Sequence, residues 1–250
     1  MMSTTTGNAA GLRKQPIFLT TRWTVVLAAG GIDTTLARQA LEHLCRTYWY
    51  PLYAYVRRRG YSAHDAQDLT QAFFARLLAQ ESLANADPNR GRFRCFILTA
   101  MNNFLANEWK RGTAQKRGGG HELMSLELTA AEKRYELEPA IHSSPDKIFE
   151  KQWAMTLLEE VLNRLELEFQ NDGKGDLFAA LKPALLGLRE SQPYATLATQ
   201  LGMNESAVKV TVHRLRKRYR ELIRDEIANT LDSSEEIEAE MRHLLHVLAE

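Results

Sequence analysis

The chain has almost no cysteine, no long apolar run and almost no net charge. Its two cysteines, Cys45 and Cys95, lie in separate apolar helical patterns without a partner spacing. That excludes a disulfide framework and predicts two buried free thiols. No apolar stretch approaches the roughly 20 residues that a membrane span requires. The run at 25–29 is too short, and too close to Arg22 and Trp23, to resemble a signal peptide. A cytoplasmic location without membrane contact is therefore expected. Clustered metal ligands are missing too: His243 and His246 are the close histidine pair, expected to be solvated, and Asp65 with Asp68 is a lone acidic pair. An enzyme needs more than this, so no catalysis, metal or cofactor is expected. Internal repeats and convincing strand patterns are absent as well.

What remains is helical periodicity and an uneven distribution of charge. The net charge is +1, yet basic residues gather in two islands, and the distribution matters more than the sum. One island holds Arg90, Arg92, Arg94, Lys110, Arg111, Lys116 and Arg117, opposed only by Glu108; the other lies at 209–220. Acidic stretches at 122–168 and after Glu221 balance them.

The spacing predicts an all-α chain. Asp33 or Thr34 opens a helix with Leu36, Ala40, Leu41, Leu44 and Tyr48 as its stripe, and Pro51 restarts it in a first turn. Ser62 and Asp65 form a capping-box pattern before a helix with Ala66, Leu69, Phe73, Leu77 and Leu78 inward. A turn at 87–91 precedes the clearest stripe of the first half: Phe93, Phe96, Ile97, Ala100, Met101, Phe104 and Leu105. Its opposite face offers Arg94, Asn102, Asn103, Asn107, Lys110 and Arg111. Periodicity assigns Phe93 and Phe96 to the core rather than to a ligand. Residues 112–144 lack periodicity and read as a flexible linker. Ser144 and Pro145 then start a helix carrying Phe149, Trp153, Leu157, Leu158, Val161, Leu162 and Leu165. After a polar break at 171–175 comes a helix interrupted by Pro183. A last amphipathic helix, capped at Ser233 or Ser234, carries Ile237, Met241, Leu244, Leu245 and Leu248.

The segment at 194–220, YATLATQLGMNESAVKVTVHRLRKRYR, reads as a helix-turn-helix with a basic second helix. Ala195, Leu197, Ala198 and Leu201 form the packing face of the first helix. Gly202 supplies a turn residue tolerant of φ > 0. Asn204 is a natural N-cap, and Ala207, Val208, Val212 and Leu215 repeat at helical spacing behind it. That register leaves Glu205, Ser206, Lys209, Val210, His213 and Arg214 outward, with Arg216 beyond them. In a helix-turn-helix such positions reach base edges and phosphates in the major groove.

The first half resembles a known family. DAQDLTQAFFARLL at 65–78 is similar to the signature helix of sigma-70-type RNA polymerase sigma factors, in the extracytoplasmic-function (ECF) group. The matching residues are Asp68, Leu69, Gln71, Phe74, Arg76 and Leu77, while Gln67 and Ala72 replace two usual acids. The resemblance implies that this helix docks on the clamp coiled coil of core RNA polymerase. GRFRCFILTAMNNFLANEWKR at 91–111 resembles the family's promoter-melting segment, with Asn103 matched and Met101-Asn102 in place of an Ala-Arg pair. It implies minus-ten contacts from Arg92, Arg94, Asn103, Asn107, Lys110 and Arg111. In the second half Gly202, Val208, Lys209, Arg214 and Arg216 match the family's minus-thirty-five reader. Residues 150–190 depart from the family by the insertion at 171–175 and by Pro183.

The expected organisation is a disordered N-terminus at 1–20 and a sigma-2-like domain at 21–111. The linker at 112–144 leads to a sigma-4-like domain at 145–228 and an acidic helical extension at 229–250. The expected partners are core RNA polymerase, through clamp and flap, promoter DNA, and an anti-sigma factor. The competing reading is a stand-alone helix-turn-helix regulator. The acidic C-terminal helix has two readings: a cap on apolar surface, or an inhibitor folded over the basic helix.

Overall fold

The computed structural model of the protein describes residues 35–79, 92–112, 125–137, 144–188, 192–228, 231 and 234–249. Over these residues the chain is all-α, as the periodicity predicts. The helices are α1 (Thr35–Arg58), α2 (Ala63–Ala79), α3 (Phe93–Gly112), α4 (Ser125–Leu137), α5 (Pro145–Asn171), α6 (Gly175–Leu186), α7 (Tyr194–Leu201), α8 (Glu205–Ala228) and α9 (Ser234–Ala249). The expectations for 1–20 and for the turn at 87–91 lie outside the described residues. No described helix is long and apolar enough to cross a membrane.

Local chemistry sets most boundaries. Ser62 Oγ accepts from the Asp65 backbone N–H at 3.1 Å and donates to the Asp65 carboxylate at 2.7 Å. This is a capping box with its side chains paired directly. Ser144 accepts from the Lys147 N–H, with Pro145 at the first helical position, where its missing N–H costs nothing. Gly173 and Gly202, at φ +70 and +62, turn the chain after α5 and α7.

Two expectations need correction. Pro51 does not restart a helix but sits inside α1. A proline there costs about 3 kcal/mol in an isolated helix. Leu44, Tyr48, Leu52, Tyr53, Tyr55 and Val56 are buried on both sides of it, and their packing holds the helix continuous. The stretch 112–144 is not all irregular, because 125–137 is α4. Only Ala131 of its described side chains is buried, so apolar packing holds little of this described part. Polar contacts hold it instead. Glu132 accepts from Arg57 at 2.7 Å and also from the Tyr53 hydroxyl. Arg134 lies 4.0 Å over the Tyr50 ring, and Arg57 lies 4.7 Å over Tyr135.

The long helix α5 is the centre of the molecule. It packs along α1, and on its other sides against α6, α8 and α9. Helix α2 lies beside α1 and contacts α3 and α4; α8 receives α6, α7 and α9. One apolar cluster therefore runs from Tyr48, Phe73 and Phe93 through Phe149, Trp153 and Leu165 to Leu215, Leu222 and Ile227. The segment expected to open a second domain shares its core with the first.

Candidate nucleic-acid interface

The second basic island is built by the α7–α8 turn. Leu197 and Ala198 on α7 and Val208, Val212 and Leu215 on α8 are buried, which fixes the rotation of α8. The Asn204 side chain accepts from the Ala207 N–H at 2.7 Å and starts α8. Gly202 has no atom within 4 Å of where a Cβ would sit, so its role is backbone conformation rather than close approach. Ala195, expected on the packing face, is exposed instead.

With that rotation Glu205, Ser206, Lys209, Val210, His213 and Arg214 are all exposed along one side of α8. Lys209 pairs with Glu205 at 2.7 Å. This hydrogen bond and the carboxylate charge raise its pKa, so its ammonium is charged at any ordinary pH. Val210, 49% exposed, puts an apolar surface in the middle of the polar set. Arg216 is also exposed, but donates to the Ala184 carbonyl at 2.7 Å and so braces α8 against α6. Arg218 makes two bonds to Glu168, at 2.8 and 2.9 Å, and ties α8 to α5. The basic run therefore divides into outward cations and braces.

The first island divides more sharply. Asn103, Asn107 and Lys110 are exposed on α3. For Arg111 only the backbone is described. Between α2 and α3 lies a cavity of about 220 Å³ lined by Phe73, Arg76, Leu77, Phe96, Ala100, Asn103, Phe104 and Asn107. It has an aromatic floor and two amides among its lining. Phe93 is buried and Phe96 half-buried, in keeping with their assignment to the core. Asn102 accepts from the Tyr55 hydroxyl and from Arg59 at 2.7 Å, so it seats α3 on α1.

Arg94 is not on the open face expected for it. Its side chain is 4% exposed, and its Nε lies 2.6 Å from the Glu240 carboxylate of α9. Glu150 of α5 takes the other end of its guanidinium, which stands 5.2 Å over the Trp153 ring. Burial disfavours the Arg94 charge, but Glu240 and Glu150 outweigh it and raise the pKa. Arg92 reaches the same Glu240 carboxylate at 2.8 Å. His243, expected to be solvated, pairs with Glu150 at 2.8 Å.

The six residues expected on a polymerase-facing surface also separate. Phe74 and Leu77 are buried, Leu69, Gln71 and Arg76 half-buried, and Asp68 exposed. An amphipathic helix buries its apolar members first, so these six do not form one open face. The open side of α2 is His64, Asp65, Asp68, Ala72 and Ala75, with His64 and Asp68 paired at 3.2 Å. Phe74 and Gln71 instead line a larger groove of about 700 Å³ with Trp49, Tyr50 and Ala131. The thiols differ from expectation too: Cys95 is exposed and Cys45 half-buried. Burial, helped by Glu42, pushes the Cys45 thiol up to about 11.

Sequence reasoning missed Glu240 and Glu150. A signal for the first was present, because Glu240 falls between Ile237 and Leu244 in the apolar stripe of α9. A charge on a buried stripe calls for a buried partner. Arg94, beside Phe93 and Ile97, is the matching anomaly on α3. Trp109, 67% exposed near the end of α3, also escaped notice.

No curated protein and no solved structure matches the chain. Residues 44–115, from within α1 to just beyond α3, match the family model Sigma-70 region 2. That family is a non-enzymatic transcription initiation factor whose region 2 in general binds core RNA polymerase and promoter DNA. The match spans less than half of the chain, and it supports a sigma-70 family sigma factor acting in transcription initiation.

Proposed function

We propose that the protein is an ECF-type sigma factor. It binds core RNA polymerase through the open side of α2 and reads the minus-ten element with α3. It reads the minus-thirty-five element with the helix-turn-helix α7–α8. The observation that carries this reading is the match of 44–115 to sigma-70 region 2. The outward row on α8 supports the second DNA contact: Lys209 and Arg214 carry charge toward phosphates, and Ser206 and His213 offer hydrogen bonds to base edges. The cavity between α2 and α3 suits an unpaired base. Phe96 and Phe104 supply an apolar wall, Asn103 and Asn107 offer amides to a base edge, and Lys110 follows on α3 as a cation for the nucleic-acid backbone. In this reading 112–144 sets the span between the two elements, and an anti-sigma factor remains a candidate partner.

The test is co-purification of the full chain with core RNA polymerase. Asp68→Arg reverses a charge on the open side of α2 without touching the core, so its helical content should match the parent. Association should fall sharply in this variant. Association as strong as the parent's would remove α2 as the docking helix. Binding to duplex DNA with no association to polymerase in either protein would instead favour the stand-alone regulator.

A further inference from the structure

We infer that α9 is an intramolecular clasp whose Glu240 carboxylate occupies Arg92 and Arg94 in place of a nucleic-acid phosphate, holding the two halves of the chain closed. The inference rests on the proposed sigma-type reading for what the clasp controls. Its geometry does not depend on that reading.

Four helices meet at the clasp. Arg92 and Arg94 come from the start of α3, Glu150 and Trp153 from α5, and Glu240 and His243 from α9. Tyr48 of α1 is close enough to feel both Arg94 and Glu240. Glu240 accepts from two arginines at 2.6 and 2.8 Å while only 4% exposed. This carboxylate presents to the pair the same acceptor chemistry that a backbone phosphate would. A second contact, Arg224 of α8 with Glu238 of α9, fastens the clasp to the helix-turn-helix side. Acidic α9 is thereby joined to both basic islands: directly to the first, and through α8 to the second.

The choice of charge over apolar contact is informative. Buried ion pairs add little net stability compared with apolar packing of the same volume, and their best-attested use is to fix a register or a switch. A purely structural cap would have needed only Ile237, Met241, Leu244 and Leu248, which already pack on the core. Adding Glu240 makes closure sensitive to a competing polyanion. It also keeps Arg92 and Arg94 from binding phosphate while α5 stays packed on α1. A chain that must address two separated promoter elements cannot use both islands freely in that arrangement.

The experiment compares the full chain with Glu240→Gln, which keeps side-chain volume, and with Glu235→Gln, exposed at the start of α9 and outside the clasp contacts, as a control. Small-angle scattering should show Glu240→Gln expanded relative to the other two. Its affinity for core polymerase and for a forked promoter duplex should rise about tenfold or more. A folded Glu240→Gln with unchanged dimensions and unchanged or weaker affinity overturns the clasp. Hydrogen exchange on the unmodified chain gives a second measurement that needs no variant. Core polymerase plus forked DNA should strip protection from 234–249, and retained protection there also overturns the clasp. If no protein binds polymerase, the sigma-type reading fails, while the scattering comparison still decides the clasp.

Discussion

Removing the Arg94–Glu240 pair should reveal a coupling of about 2 kcal/mol between α3 and α9. The appropriate perturbation is a double-mutant cycle with Arg94→Met and Glu240→Gln. Methionine keeps the packing of the arginine stem against Trp153. Both side chains are 4% exposed and 2.6 Å apart, so solvent screens them little. Unit charges about 4 Å apart attract by about 4 kcal/mol at an effective dielectric of about 20, before desolvation is subtracted. Losing one partner of a buried pair typically costs about 3–5 kcal/mol. Here Arg92 remains on Glu240, and Glu150 remains on Arg94. Each single substitution should therefore fall at or below the lower end, about 2–3 kcal/mol. The double variant should cost little more than either single one, because each substitution removes the group the other would strand. Urea unfolding of the full chain reads this directly: with a slope of about 2–3 kcal/mol/M, each single substitution lowers the midpoint by about 1 M. Strict additivity, with coupling below about 0.5 kcal/mol, would mean that the pair does not form in solution.

Three further outcomes follow from particular contacts. Gly202→Ala should cost about 1 kcal/mol through backbone strain alone, since φ is +62 and the space around it is open; Asn204→Ala should cost a similar amount by removing the cap on α8. Lys209→Ala with Arg214→Ala should leave urea stability within about 0.5 kcal/mol. The same double variant should flatten the salt dependence of duplex binding, by about 0.9 in log–log slope for each phosphate no longer neutralised. The third outcome concerns acid. Partial burial pushes the Glu132 carboxyl up, but hydrogen bonds from Arg57 and Tyr53 and the Arg57 charge outweigh it and hold its pKa below the ordinary 4.5. A lowered folded-state pKa means the pair's contribution is complete above pH 4.5 and is lost as pH falls below it. Backbone protection of α4 should fall in that range in the parent and show no such step in Glu132→Gln.

Much of this architecture was legible in the sequence. The stripe from Phe93 to Leu105, the Ser144-Pro145 cap and the Gly202-Met203-Asn204 turn are local signals, and each produced its element. What was hidden depends on partners distant in sequence. Helix α4 shows no apolar period because cations and rings hold it, and those belong to α1. Pro51 reads as a boundary until the burial on both sides of it is known. Arg94 looks like a surface cation on a helical wheel, because its partners lie 56 and 146 residues away. Sequence spacing placed Leu77 inward, but it did not separate Phe74, which also serves the core, from Asp68, which faces out. The shared core of α1 and α5 has no local signature at all.

Chain-dependent transcription tests the central claim most directly. Core RNA polymerase should be supplied with a promoter library, with and without the full chain, and the transcript starts sequenced. The account predicts transcripts only when the chain is added, starting at a fixed distance downstream of a shared two-part motif, and more of them with Glu240→Gln. Transcript starts identical with and without the chain, together with a chain that binds duplex DNA unaided, would contradict it.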